Sequence, residues 1–316
     1  MRASGAIRAA AWGLVAAGAA APLVRRRVSA PPLAMQTLAY SAPLGLCVAA
    51  RRSMARDLAT CGLQMWAYLA AYKTPHDDAE AQSERVHVSY PIRADRILGL
   101  GELPSLRLQR SLARVGPAGP QWRKLDRVLV WAHWSWFMVP HGTVLFLRLR
   151  HPERFARAAV MTYAVFNLGA IVYWVAPTAP PWWAGGAQEM TGEGASGVRR
   201  MMVEYGEHFW QDGWASLYSV FGGNPLAAMP SLHFATSVMA ATLLAEAGPL
   251  PGAVGWAYTC TLGFALVYLG EHYVVDLLAG AALTAAVRRM APRAGPIIGA
   301  VGRGVAALEG AAHAGC

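Results

Sequence analysis

The sequence predicts an all-α protein, a polytopic membrane helical bundle, and three observations lead there. Of 316 residues, 55% are apolar and only 15% are Asp, Glu, Lys or Arg, where soluble domains carry roughly 25% charged residues. The apolar residues gather into runs close to the ~20 residues that cross a hydrocarbon core. The 28 Lys and Arg, against 18 Asp and Glu, punctuate those runs instead of forming one basic stripe beside aromatics. The formal charge of +10 therefore reads as membrane orientation, with no nucleic-acid partner expected. This composition excludes a disordered chain and argues against a soluble enzyme. The 12 Trp and 32 Gly suit a bundle in which Trp sits at the interfaces and Gly lets helices approach.

The elements follow in order. Residues 1–72 hold three N-terminal membrane segments, Ile7–Val24, Leu33–Ala50 and Leu58–Tyr72. Arg2 and Arg8 ahead of a small-residue run would also fit a signal peptide, but Arg25-Arg26-Arg27 directly after it favours a retained segment. The third run is short, so it is tilted or spans only in part. Residues 73–127 are a charged soluble or interfacial excursion with ten basic and seven acidic residues. Within it Pro104 opens an interfacial helix around Leu103–Leu112, since Pro is tolerated in a first turn. The mixed signs otherwise describe a solvated face. Residues 128–290 form a membrane core with spans Val128–Leu149, Phe155–Ala176, Met229–Ala247, Pro251–Gly270 and Tyr273–Met290. Residues 291–316 are a C-terminal tail, and the total is six to eight spans. Cys47, Cys61, Cys260 and Cys316 are scattered without a Cys-x-x-Cys, so neither a disulfide framework nor a zinc site is expected.

Cations near span ends set the orientation. Arg148, Arg150, Arg154 and Arg157 around one short connection, and Arg288, Arg289 and Arg293 after the last span, belong in the cytoplasm. Loop Pro177–Ala228, with five acids against Arg199 and Arg200, then lies outside, as does Glu271-His272. The expected location is an integral multi-pass protein of the plasma membrane with its site on the extracytoplasmic face.

Two segments reach that face. In Gly223–Phe234, Pro230 suits a first helical turn, so Ser231, Leu232 and His233 present free main-chain N–H groups at a helix N-terminus that binds phosphate or another anion. In Gly270–Asp276, His272 and Asp276 are four apart, on one helical face. An Asp bonded to one imidazole nitrogen fixes the tautomer and leaves the other free to attack. His233 would protonate the departing oxygen. Together these residues describe phosphoryl transfer through a phosphohistidine with no metal and no cofactor. Glu271, His272 and Asp276 make a poor metal site, because adjacent Glu and His point to different sides of a helix and no His-Glu-x-x-His occurs. His133 and His141, among Trp131, Trp134, Trp136 and Phe137, read as core packing or a headgroup-side contact. His208 reads as solvent-exposed, and Trp182 and Trp183 as interface anchors.

Pro230-Ser231-Leu232-His233 followed by His272-x-x-x-Asp276 resembles the type 2 phosphatidic acid phosphatase superfamily. Asn224–Phe234, Glu271–Gly280 and Pro177–Trp183 look most like its inositolphosphorylceramide-synthase-type (inositolphosphotransferase) branch, where Leu stands, as Leu232 does, in place of the Gly of many phosphatases. The resemblance covers about residues 125–290. It implies a six-helix phosphatase-type core, a lipid-phosphate substrate, His272 as nucleophile, Asp276 as its partner and His233 as acid. Many members carry basic residues where Tyr173, Pro180 and Leu266 stand here. Between Pro177 and Val287 the only cations are Arg199 and Arg200, so these two, with Ser231 and Leu232, are the expected substrate-binding residues.

The expected function is a membrane lipid phosphatase or phosphotransferase tilted toward inositol-phosphate transfer, with a lipid phosphate and the bilayer as partners and the oligomeric state open. A polyprenyl-phosphate or phosphatidate phosphatase is the near alternative. A non-catalytic lipid-phosphate-binding membrane protein is the alternative of a different class, motivated by the absent cations. A transporter would show an inverted repeat of broken helices, and none is visible.

Overall fold

In lipid every backbone N–H and C=O must be paired within the protein, so apolar runs of this length close as helices. The computed structural model describes residues 2–25, 27–28, 30–117, 119–186, 197–221 and 223–314, and it is a helical bundle. Among the described residues the one sheet is a two-stranded hairpin, β1 (Arg114–Gly116) with β2 (Gly119–Gln121), in the register Arg114↔Gln121.

The N-terminal segments are α1 (Arg2–Val24), α2 (Pro32–Ala49) and α3 (Met54–Lys73). Pro32 opens α2 and Ser53 caps α3, its side chain accepting from Arg56 N. Small residues Ala21, Ala39 and Ala67 are buried where these helices meet. The excursion folds against the membrane core instead of standing apart in water. It supplies short α4 (Ala79–Ser83), α5 (Ser89–Leu98) and α6 (Pro104–Leu112), the last close to the helix expected from Pro104.

The core begins with a departure from expectation. Val128–Leu149 is not one span but two helices, α7 (Lys124–Trp134) and α8 (Met138–Arg150), separated by turns at 135–137. Pro140 explains the break: it has no N–H to donate and its ring would strike the carbonyl four residues back, so it is accommodated in the first turn of a new helix. Next come α9 (Pro152–Val175), α10 (Pro181–Gly186), α11 (Met201–Trp210), α12 (Gly213–Phe221), α13 (Leu232–Ala247), α14 (Pro249–Tyr268) and α15 (Val274–His313). Ser4–Val24, Pro152–Val175 and Pro249–Tyr268 are each long and apolar enough to cross a bilayer, and Leu232–Ala247 is a shorter apolar helix. The last helix does not stop near Met290. It runs 40 residues, and Val305 and Ala312 near its end pack with Ile7, Ala11, Val48 and Ala49. Glu309 there pairs with Arg56 at 2.8 Å and Arg52 at 3.3 Å.

The main core lies between α3, α9, α13 and α15. Met65, Tyr68, Phe166, Tyr173, Leu232, Met239 and Val287 are buried together. Between membrane helices such packing acts through close van der Waals contact and not through release of water, so small residues at crossings decide how near the helices come. At one end of the bundle Glu246, the lone charge between Met229 and Gly270, accepts from Arg157 at 2.6 Å and Arg288 at 2.8 Å, and Arg154 donates to its main-chain oxygen. The two motif segments sit at the N-terminal ends of α13 and α15.

Candidate active site

Two segments build the site, and ordinary capping chemistry bends each into place. Ser231 caps α13, its hydroxyl accepting from Phe234 N at 3.3 Å. Tyr173 on α9 donates its hydroxyl to Pro230 O at 2.6 Å. Leu232 is buried, and its side chain lies against Gly169, where any Cβ would collide with it. His233 is thereby set in the first turn of α13. On the other side, the N–H groups of Glu271 and His272 turn back to Leu266 O at 3.0 and 3.1 Å. Asp276 Oδ2 accepts from Tyr273 N at 2.9 Å, closing the start of α15.

The segments then meet. His233 Nδ1 lies 3.2 Å from His272 Nε2, and His272 Nδ1 lies 3.2 Å from Asp276 Oδ2. Asp276 is fully buried and His272 is 4% exposed. The network assigns the tautomers: a carboxylate only accepts, so His272 carries its proton on Nδ1 and turns the Nε2 lone pair toward His233, whose Nδ1 donates. A backbone bond locks the pair of segments together, Ser231 N donating to Asp276 O at 3.0 Å. Gly280, one turn further along α15, faces Ser231 O so closely that a Cβ would sit 2.6 Å from it.

Around this centre, Trp136 packs on the His233 ring with centroids 4.2 Å apart. His133 stacks on that ring at 5.0 Å. His141 is elsewhere, its Nδ1 at 2.7 Å from Phe137 O, and His208 lies near the Trp122 and Tyr205 rings.

The expected substrate-binding residues divide. Ser231 is at the site, with its hydroxyl engaged in the cap and its N–H, expected to be free for an anion, donated to Asp276 O. The Leu232 side chain belongs to the core. Arg200 approaches through its neighbour: Nε and Nη2 donate to Glu271 at 3.0 and 3.2 Å, and the guanidinium lies 3.7 Å over the Trp182 ring. Arg199 turns to the Glu204 carboxylate, with Nε at 3.1 Å from each oxygen.

Two positioning residues come from the excursion, where the charge pattern gave no reason to look. Asp95 is buried and accepts from Val274 N at 3.0 Å and Val275 N at 2.8 Å, capping α15 from outside it. Gln109 donates to Arg199 O at 2.8 Å and Tyr268 O at 2.9 Å, and accepts from Arg199 N at 2.9 Å. The available signal for Asp95 was its spacing from Ile92, which puts an acid on the buried face of α5.

Burial pushes the Asp95 carboxyl up to about 6, against the pull of the Val275 and Val274 N–H groups. The ordinary value is about 3.9. Between about pH 4 and 6 the folded chain thus holds a proton that the unfolded chain has released, so this group stabilises the fold below that window and loses the contribution as pH rises through it. Asn does not titrate. The melting temperature of Asp95→Asn relative to wild type should therefore be higher at pH 7.5 than at pH 4.5, by the equivalent of about 1–2 kcal/mol. An offset that is the same at both pH values would rule out the titration.

Comparison with known proteins bears on this geometry. A family model described as PAP2 superfamily matches residues 120–289. The inositol phosphorylceramide synthase catalytic subunit of Schizosaccharomyces pombe is 29% identical over 128 residues, covering 39% of this chain and 29% of that protein. That of Saccharomyces cerevisiae is 30% identical over 122 residues, covering 37% and 29%. The inositol phosphorylceramide synthase of Candida albicans is 27% identical over 158 residues, covering 48% and 32%. The matched stretch is thus about a third or less of each relative's length. No solved structure matches the chain significantly.

Proposed function

The chain belongs to the PAP2 superfamily, and from there we propose that it is a membrane phosphotransferase acting on a lipid-linked phosphate through a phosphohistidine at His272. The observation that carries the proposal is the continuous relay Asp276–His272–His233. Asp276 keeps the His272 proton on Nδ1 and offsets the positive charge that develops on the ring. Nε2 attacks phosphorus, an N–P bond forms, and the P–O bond to the leaving alcohol breaks. His233, held as the imidazolium by the negative charge of the bound phosphate, gives that oxygen its Nδ1 proton. In the second half, neutral His233 takes the proton of the acceptor hydroxyl, the acceptor oxygen attacks phosphorus, and the N–P bond breaks. Each group ends as it began.

In-line displacement puts the nucleophile and the leaving oxygen on opposite sides of phosphorus. The 3.2 Å between the imidazoles leaves no room for a phosphoryl group, so substrate entry parts the rings. The burial of His272 and Asp276 supports an alcohol acceptor over bulk water. The similarity to inositol phosphorylceramide synthases supports transfer of an inositol-phosphate group to a lipid alcohol. The deciding experiment gives purified protein a panel of phosphoinositides, phosphatidate and polyprenyl phosphates, with and without ceramide. New phospholipid that appears only with the acceptor is the expected result. Acceptor-independent release of phosphate would make the chain a phosphatase, and binding with no turnover would refute both.

With the Glu246 arginine cluster in the cytoplasm by the positive-inside rule, the site faces the extracytoplasmic side. A cysteine replacing Asp212, which is exposed in the loop between α11 and α12, in an otherwise cysteine-free chain should react with an impermeant thiol reagent on intact cells. Labelling only after permeabilisation would invert the topology.

A further inference from the structure

His133 is a buried imidazole to which the fold gives no hydrogen bond. It sits at the end of α7, 9% exposed, with its ring 27° from parallel to that of His233. Neither Nδ1 nor Nε2 has a hydrogen-bond partner. An imidazole always carries at least one N–H, and a buried donor without an acceptor lowers stability where a Phe or Leu would not. The neighbouring Trp136 makes the contrast: it packs against the same His233 ring, yet its indole N–H is bonded to Thr236 Oγ1 at 2.9 Å. Packing on His233 therefore does not account for an unsatisfied polar ring at position 133.

The charge arrangement supplies what that ring lacks. A transferring phosphoryl group carries negative charge on its non-bridging oxygens, and stabilising it takes donors fixed in advance. The two loop arginines already face carboxylates, Arg200 that of Glu271 and Arg199 that of Glu204. We propose that His133 is a substrate ligand, its ring N–H donating to a non-bridging phosphoryl oxygen while His272 attacks and His233 protonates the leaving group. The proposal rests on the roles given above to those two residues. It places three imidazoles at one phosphate, the stack holding His133 beside the acid.

The test uses the whole 316-residue chain in detergent. His133→Phe keeps an aromatic ring on His233 and removes the donor, while His133→Asn and His133→Gln restore a donor near the positions of Nδ1 and Nε2. Two quantities are read: kcat/KM on the active lipid, and equilibrium binding of a lipid phosphonate, which needs no turnover. H133F should lose roughly tenfold to hundredfold in both, with a melting temperature no lower than wild type, and one of the two amides should recover part of the loss. H133F within about twofold of wild type in both readouts, the range of a neutral substitution, would overturn the proposal. Should H133F fail to fold, equally weak phosphonate binding by the folded Asn and Gln variants overturns it instead. Turnover by a His272→Ala chain would sink the phosphohistidine reading, and the phosphonate measurement would still decide His133.

Discussion

Lipid turnover by a chain carrying His272→Ala is expected to fall to background, a loss of about 10⁴-fold or more, with its α-helical content and detergent melting transition retained. On the proposed mechanism His233, the other imidazole bonded in the relay, does not take over as nucleophile, because among the described residues no carboxylate is hydrogen-bonded to it. Wild type stopped in acid-free denaturant during turnover of a ³²P-labelled substrate should retain label that is lost in acid and survives base, as an N–P bond does, and the Ala variant should retain none. Asp276→Asn should come close to the same loss of rate, since an amide that donates toward Nδ1 favours the wrong tautomer. His233→Ala should differ in kind. It removes the proton donor for the leaving group, so a substrate whose leaving group is a good one, such as a nitrophenol, should still label His272. Equal defects of H233A on good and poor leaving groups would show that His233 is not the acid.

The second large effect is expected from a single methyl group. Gly280→Ala puts a Cβ 2.6 Å from the main-chain oxygen of Ser231, and a backbone atom cannot rotate out of the way. Helices α13 and α15 must move apart at the point where they present His233 and His272. Overpacking of this kind costs about 1–3 kcal/mol of stability. The larger consequence is geometric, because a displacement near 1 Å at a reacting centre can cost roughly 100-fold in rate. Activity should therefore fall far more than the melting temperature does. Gly142→Ala, where nothing lies within 4 Å of the new Cβ, is the control and should leave both unchanged. A G280A chain with wild-type kcat would mean that the crossing of α13 and α15 does not set the distance between the histidines.

Much of this was legible in the sequence because the relevant signals are local. His272 and Asp276 are four apart, so a helix brings them together whatever surrounds it, and Pro230 pointed to the helix start, although it stands ahead of the Ser231 cap and not in the first turn. The apolar runs gave the helices because lipid leaves no other way to pair the backbone. What stayed hidden depends on partners distant in the chain. Asp95 caps a helix that begins 179 residues later, and its spacing from Ile92, the one local sign of burial, does not say which helix it would meet. Arg199 and Arg200 looked free as letters, and their carboxylates appear only when the loop closes onto Glu204 and the Gly270 turn. His133 read as core packing or a headgroup-side contact, because stacking on another helix leaves no periodic trace. The break before α8 was readable in Pro140, but the continuous hydropathy of Val128–Leu149 masked it.

The caps that Asp95 and Gln109 provide carry a practical consequence for anyone trimming this protein. The stretch that matches the family begins at residue 120, downstream of both pegs. A minimal version cut to that boundary would keep His233, His272 and Asp276 and lose the two side chains that hold the turn between α14 and α15. The recognisable region is thus tied by hydrogen bonds to a length of chain that, by composition, read as a charged soluble or interfacial excursion.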